Sequence, residues 1–367
     1  MVAGVRSSTA ASAIPSARSP RDSCPARTRP AKTQRDPRGS RLRATAATAD
    51  DVQRWDELVV ATGQPHVLQS AAWAELKAAT GWSVRRFRLD GGVAQVLMKS
   101  LPLGLFVAYA PRGPLVPPER LAEAIVAVRD ELARERCASL LCDPEATEDE
   151  RVRASLERSG VRASPVYVQP RRTLLMDLSR ENEDLFAAMR RKHRQYIRKA
   201  EHAGVVTEET RDLDRFLRVL GAVAQRDRFA IHSRDYFERL LAAFGDRALL
   251  MLARVGDEDA GALLLVRMAD RAWELYGGWS GAHAEARPFY LLKWRAMLRM
   301  RQLGVRRYDM YGLAEGADDP LAGVENFKLG FGGEVVTWIG SLETPVRSML
   351  YPLWQIAGRR RLARSAA

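Results

Sequence analysis

Residues 190–204 read RRKHRQYIRKAEHAG, and six of the ten positions from Arg190 to Lys199 are Lys or Arg. The stretch predicts a helix. Ile197 and Ala200 are spaced to face inward, and Gly204 stands where a helix ends in a left-handed turn. On that helix Arg191, Gln195, Lys199 and His202 share one stripe, while Arg190, Arg194 and Arg198 share the next. Like charges at this spacing repel and cost helix stability unless an anion compensates. A solvated face ordinarily mixes signs, yet Glu201 is the sole acid in the run. The sequence therefore marks an anion-binding helix, with Arg190, Arg194, Arg198 and Lys199 as its phosphate- or nucleic-acid-facing patch.

Outward from this helix, one order of elements occurs twice. On its N-terminal side a helix over LQSAAWAELKAAT has Ser70 as N-cap and Gly81 just past its end. Strand-like runs follow over 84–89, 93–99 and 105–110, then the Pro-rich loop PRGPLVPP, a helical period over 119–134 and a strand over 139–142. On its C-terminal side a helix over 235–244 precedes strands over 248–254, 260–268 and 273–279. A long helix over 288–303 and a strand over 307–311 complete the set. A strand over 173–178 leads into the basic helix. Strand–turn–strand–turn–strand–helix–strand is the order of the GNAT acyltransferase fold, an α/β mixed sheet with helices on both faces. The chain is accordingly expected to carry two tandem GNAT-like domains, over residues 49–170 and 171–345. The basic helix falls at the entrance to the second, facing the groove between them, where ligand sites concentrate.

Composition agrees. The chain has 367 residues and 46% hydrophobic content, enough for two cored domains. Its net charge is +13. Residues 1–50 hold ten Lys/Arg against three Asp, so they account for +7 of that charge. Residues 1–48 are rich in Ser, Ala, Pro and Arg and lack the apolar surface to order themselves, so a disordered basic extension is expected. Cys24, Cys137 and Cys142 form no CxxC pair, which argues against a disulfide framework or zinc site. The five histidines show no metal-ligand spacing. No apolar run reaches the roughly 18 residues that span a bilayer, and a cytoplasmic protein is expected. Residues 346–367 place Leu, Trp and Ile before an Arg cluster. They predict a basic C-terminal helix or tail, either docked or lying on the inner face of an anionic membrane.

Four stretches, LQSAAWAELK, APRGP, RKHRQYIRKAEHAGV and NFKLGFGGE, resemble the FemABX family of non-ribosomal peptidyltransferases. A fifth, YGGWSGAHAEARPFYLLKWRAMLRM, is like the family's strand, loop and helix in its second unit. The resemblance covers about residues 65–345, without the long helical arm that some members insert. It implies tandem GNAT-like domains and transfer of an aminoacyl group from aminoacyl-tRNA to an amine of a UDP- or lipid-linked peptidoglycan precursor. It implies no cofactor beyond that co-substrate, and a monomer is expected. Both substrates are polyanions, which a basic groove suits.

By the same resemblance Lys77 and Arg191 meet the precursor. Gln195 stands where the family has a hydroxylated aromatic residue, a contact that Tyr196 supplies if the register shifts by one. Tyr236 lines the same pocket. Lys328 in NFKLGFGG sits where the substrates meet and stabilises the oxyanion formed as an amine attacks the ester. The bland alternative for Lys328 is a surface ion pair with Glu325 or Glu334. The ester is already activated, and the sequence offers no Ser-His-Asp or Cys-His arrangement, so no general base is assigned. Two other readings stand beside this one. An acyl-CoA N-acyltransferase needs a pyrophosphate loop whose nearest match, Arg88 to Val93, reads better as a hairpin turn. A non-catalytic RNA-binding protein lacks any module signature.

Overall fold

The computed structural model describes residues 42–227, 230–316, 319, 322–352 and 355. In the first half the elements are β1 (Ala44–Ala46), α1 (Ala49–Gln53), α2 (Trp55–Ala61), α3 (Ala71–Ala79), β2 (Ser83–Leu89), β3 (Gly92–Leu101), β4 (Leu105–Ala110), α4 (Leu121–Leu132), β5 (Cys137–Cys142), α5 (Glu150–Arg158) and β6 (Arg162–Ala163). In the second half they are β7 (Arg172–Asp177), α6 (Asn182–Ala188), α7 (Arg191–His202), β8 (Val206–Thr210), α8 (Leu213–Asp227), α9 (Arg234–Phe244), β9 (Ala248–Val255), β10 (Glu258–Met268), β11 (Arg271–Trp279), α10 (Pro288–Gln302), β12 (Arg307–Asp309), α11 (Ala322–Leu329), β13 (Glu334–Thr337) and β14 (Leu342–Pro345). Two seven-stranded mixed sheets result, ordered β1-β2-β3-β4-β5-β14-β6 and β13-β7-β12-β11-β10-β9-β8. This is the expected α/β fold of two tandem GNAT-like units.

Local chemistry fixes the expected helix ends. The Ser70 hydroxyl accepts from the Trp73 amide, so α3 is capped, and Gly81 follows it at φ +82°. Gly204 closes α7 at φ +72°. Of the expected N-terminal extension, residues 1–41 lie outside the described ones. Residues 42–48 are a correction: β1 pairs with β2 at the sheet edge, and Leu42 and Ala44 are buried. Backbone pairing holds this strand, and it asks little of the side chains. The expected basic tail lies mostly outside the described residues, which stop at 352 apart from 355. No helix among those described is long and apolar enough to cross a membrane.

The second sheet is covered on both faces, as strand alternation requires. On one face Ile197 and Ala200 of α7 and the apolar residues of α10 pack with Met251, Ala253, Leu263 and Leu265. On the other, Phe216 of α8 and Phe237 and Leu240 of α9 pack with Leu250, Leu252, Ala262 and Leu264. That second core runs without a break into Trp73 and Leu76 of α3 and Val93, Leu97 and Tyr109 of the first sheet. The two units therefore share apolar interior. β14 ties them again, because it inserts antiparallel between β5 and β6 after the second sheet is complete.

Two quoted motifs prove to be one latch. The Gln69 amide of LQSAAW donates to the Gln95 and Pro111 carbonyls at 3.0 and 2.7 Å and accepts from the Gln95 amide at 2.7 Å. A Cβ on Gly113 of the PRGP loop would sit 2.6 Å from the Gln69 side chain. Gln69 thus needs glycine there, and the pair pins the loop that carries Arg112.

Candidate active site

The site begins where two strands separate. β11 and β12 run parallel for three pairs, from Arg271↔Arg307 to Trp273↔Asp309. β11 continues to Trp279 along β10, whereas β12 stops, so the strands diverge beyond Trp273 and Asp309. The equivalent strands of the first sheet, β4 and β5, stay paired to Ala110↔Cys142. Only the second unit opens this gap.

Lys328 of α11 fills it. Its Nζ donates to the main-chain carbonyls of Tyr311 and Gly312, the latter at 2.7 Å. Both residues have positive φ, +50° and +71°, which turns successive carbonyls toward the ammonium. Left-handed backbone is strained for a tyrosine. Here the Asp309 carboxylate compensates by accepting from the Tyr311 amide at 2.8 Å and from the Thr173 hydroxyl. Below Lys328 lies a buried ion pair, Lys293 with Glu274, and Glu274 also accepts from the Tyr308 hydroxyl. Burial, followed by the charge of Lys293, pulls the Lys328 pKa down to about 8 against the opposing pull of Glu274 and Asp309. Burial raises Asp309 to about 6. The surface ion pair considered for Lys328 is absent, since Glu325 pairs with Arg172 at 3.1 Å.

Lys77 and Tyr236 meet on the α3–α9 side. The Lys77 Nζ lies 4.8 Å from the Trp73 ring centroid and 5.8 Å from that of Tyr236. Lys77 is only 2% exposed, and burial together with nearby Lys99 lowers its pKa to about 8. It is no solvated helix terminus. The Tyr236 hydroxyl is 3.3 Å from that of Tyr276, and the His232 ring stacks on Tyr236 at 3.8 Å. Burial raises Tyr236 to about 12 and Tyr276 further, with Tyr311 adding to the latter. A line of aromatic hydroxyls thus leads from Lys77 to the residue that seats Lys328.

The basic helix lies against the other face of the sheet. Arg191 and Gln195 are exposed on it. The half-buried Tyr196 ring faces α10, with Tyr290 at 4.9 Å and the Arg287 guanidinium at 4.4 Å. Arg194 donates to the carbonyls of Ala187 and Met189 at 2.7 and 2.6 Å, so it closes the end of α6. Arg198 lies over the Phe186 ring at 5.3 Å. Among the described residues no carboxylate pairs with Arg190, Arg191, Lys192, Arg198 or Lys199. By contrast, α10 is neutralised by its neighbours: Arg295 pairs with Glu201 at 2.9 Å and Arg301 with Glu181 at 2.8 Å.

His193 joins this helix to the lysine. Its Nε2 bonds the Phe327 carbonyl at 2.8 Å, and the Arg190 amide donates to the Gly330 carbonyl at 2.9 Å. A Cβ on Gly330 would lie 1.8 Å from the His193 ring. The RKHRQ and NFKLGFGG motifs are therefore cut to fit each other. The reading of the sequence passed over His193, Tyr276, Tyr311, Glu274 and Lys293. The signal for the last two was present: a charge inside each of the apolar runs AWELYGGW and YLLKWRAM, which asks for a buried partner.

A family model, FemAB family, matches residues 51–159, 156–260 and 256–359. The chain belongs to the FemAB family. Its FemAB relatives include a lipid II:glycine glycyltransferase of Staphylococcus aureus (strain MRSA252), 30% identical over 224 residues, or 54% of this chain and 53% of that protein. The chain spans about half the length of the curated relatives it matches. Among solved structures, that of FemX is similar over 86% of this chain and 99% of its own, with TM-score 0.75 and 21% identity. A tandem GNAT protein from the clavulanic acid biosynthesis pathway aligns over 83% and 99% at TM-score 0.50 and 16% identity. These two likenesses concern the fold of this FemAB-family chain. Among its described residues no three His, Cys, Asp or Glu side chains cluster as a metal site.

Proposed function

We propose that the protein is an aminoacyltransferase that moves an amino acid from aminoacyl-tRNA to an amine of a peptidoglycan precursor. Family membership supports the class, and the relative named for lipid II supports the acceptor. The observation that carries the chemistry is the seat of Lys328. An ammonium has three N–H donors, and the carbonyls of Tyr311 and Gly312 engage two. The third is left for a substrate, on a group already fixed in place.

In the reaction the acceptor amine nitrogen adds to the ester carbonyl carbon, and the carbonyl oxygen takes up the electron pair. The free N–H of Lys328 donates to that oxyanion. The intermediate collapses by breaking the bond to the ribose oxygen, which leaves with the proton given up by the attacking amine. A donor already in place stabilises charge that exists only in the transition state, so it speeds turnover without tightening ground-state binding. The α7 cations without carboxylate partners serve phosphate contacts, as both substrates require.

The test is transfer from a pool of charged tRNAs to nucleotide- and lipid-linked precursors, with mass spectrometry of the product. Lys328→Met should lower turnover roughly 10²–10³-fold while binding of each substrate is kept. Turnover within a few-fold of wild type ends the catalytic role of Lys328. Product from acetyl-CoA in place of charged tRNA overturns the donor assignment.

A further inference from the structure

The PRGP loop lies in the first unit, but a hydrogen-bonded thread leads from it to Lys328. The Arg112 amide donates to Asp143 Oδ1 at 2.7 Å, and Asp143 Oδ2 accepts from the Tyr109 hydroxyl at 2.7 Å. The Gln169 amide donates to the Tyr109 oxygen at 3.3 Å, and its carbonyl oxygen accepts from the Tyr311 hydroxyl. The Arg112 guanidinium lies 5.8 Å from the Tyr311 ring. All five side chains are buried or half-buried, so water competes poorly for these bonds. Arg112, like Tyr311, has a left-handed backbone, at φ +52°.

We infer that Tyr311, with Gln169 and Tyr109 behind it, is a positioning residue for Lys328. The ring is clamped at its hydroxyl by the first unit, and the main chain is clamped at its amide by Asp309. A tyrosine held at both ends keeps its strained carbonyl aimed at the lysine. The thread gives the PRGP loop a task in this chain, where Val116, Pro117 and Pro118 offer no acid or base. The inference rests on the catalytic reading of Lys328, and its test has a readout that does not.

Tyr311→Phe removes one hydroxyl and keeps the ring and the main-chain carbonyl. Turnover should fall roughly tenfold, because small misplacements of a catalytic group are costly, with both Michaelis constants within twofold. Gln169→Leu should do the same, and the double variant should be no worse than either, since one thread cannot be cut twice. Competitive acetylation of the full chain, read by mass spectrometry, gives the pKa of Lys328 without any substrate. In Tyr311→Phe that value should rise by about half a unit as the seat loosens and water enters. The charged groups that face Lys328, namely Lys293 of α10, Glu274 of β11 and Asp309 of β12, are unchanged by these substitutions.

Should Tyr311→Phe fail to fold, Tyr109→Phe cuts the thread at its far end and takes the same readouts. Wild-type turnover in Tyr311→Phe, multiplicative loss in the double variant, or an unmoved Lys328 pKa each overturns the inference. A fully active Lys328→Met instead sinks the catalytic reading, and the labelling result stays interpretable.

Discussion

Lys328 holds its proton weakly, and the proposed chemistry needs that proton. With a pKa near 8, the ammonium disappears as the pH climbs through that value. Turnover should therefore fall on the alkaline side with an apparent pKa near 8, measurable from initial rates across pH 6–10 in constant ionic strength. Arginine stays charged throughout this range, so whatever turnover Lys328→Arg retains should lack the limb. A limb unmoved in Lys328→Arg would belong to another group. Lys77 gives a stability counterpart. Its pKa is about 8 in the folded protein and 10.5 ordinarily, so between those values the unfolded chain binds a proton that the folded chain has released. Stability then rises with pH across that window. Denaturant titrations should show wild type gaining about 2 kcal/mol from pH 7.5 to 9.5 relative to Lys77→Met. Parallel curves for the two proteins would refute the burial argument.

At the scale of elements, the fit between α7 and the turn after α11 is the sharpest constraint. A methyl group at Gly330 has no room beside the His193 ring. Gly330→Ala should cost about 1–3 kcal/mol by overpacking and lower turnover, because α11 carries Lys328. His193→Ala opens the space, so the double variant should lose less than the sum of the two, as a double-mutant cycle in urea would measure. Strict additivity would mean that the two motifs do not touch in solution. The elements themselves were largely legible in the sequence, since apolar alternation and left-handed glycines punctuate them. β12 was read as far as Tyr311, yet it stops at Asp309, where Tyr311 turns left-handed and makes the lysine's seat. No local pattern announces a tyrosine at positive φ. The basic run on α7 was legible as charge, but that Arg194 caps α6 depends on packing between helices.

The whole molecule shares one apolar interior between its sheets, with Trp55 and Trp73 in the same cluster as Phe237 and Trp273. Unfolding should therefore be a single transition, with calorimetric and van't Hoff enthalpies in agreement. Two resolved transitions would show that the shared core does not couple the units. The duplicated order of elements made two units visible in the sequence, but the shared core and the return of β14 rest on long-range pairing that periodicity does not encode.

That return governs how the protein is made. A ribosome delivers β5 and β6 early, yet the strand that belongs between them is synthesised some 180 residues after β6, as the positions Ala163 and Leu342 show. Throughout the interval β5 presents an open edge, built of CASLLC, of the kind that recruits stray strands. The N-terminal half of the nascent chain cannot reach its native sheet by folding in order of emergence. It must wait, shielded, for a segment from the far half of its own message.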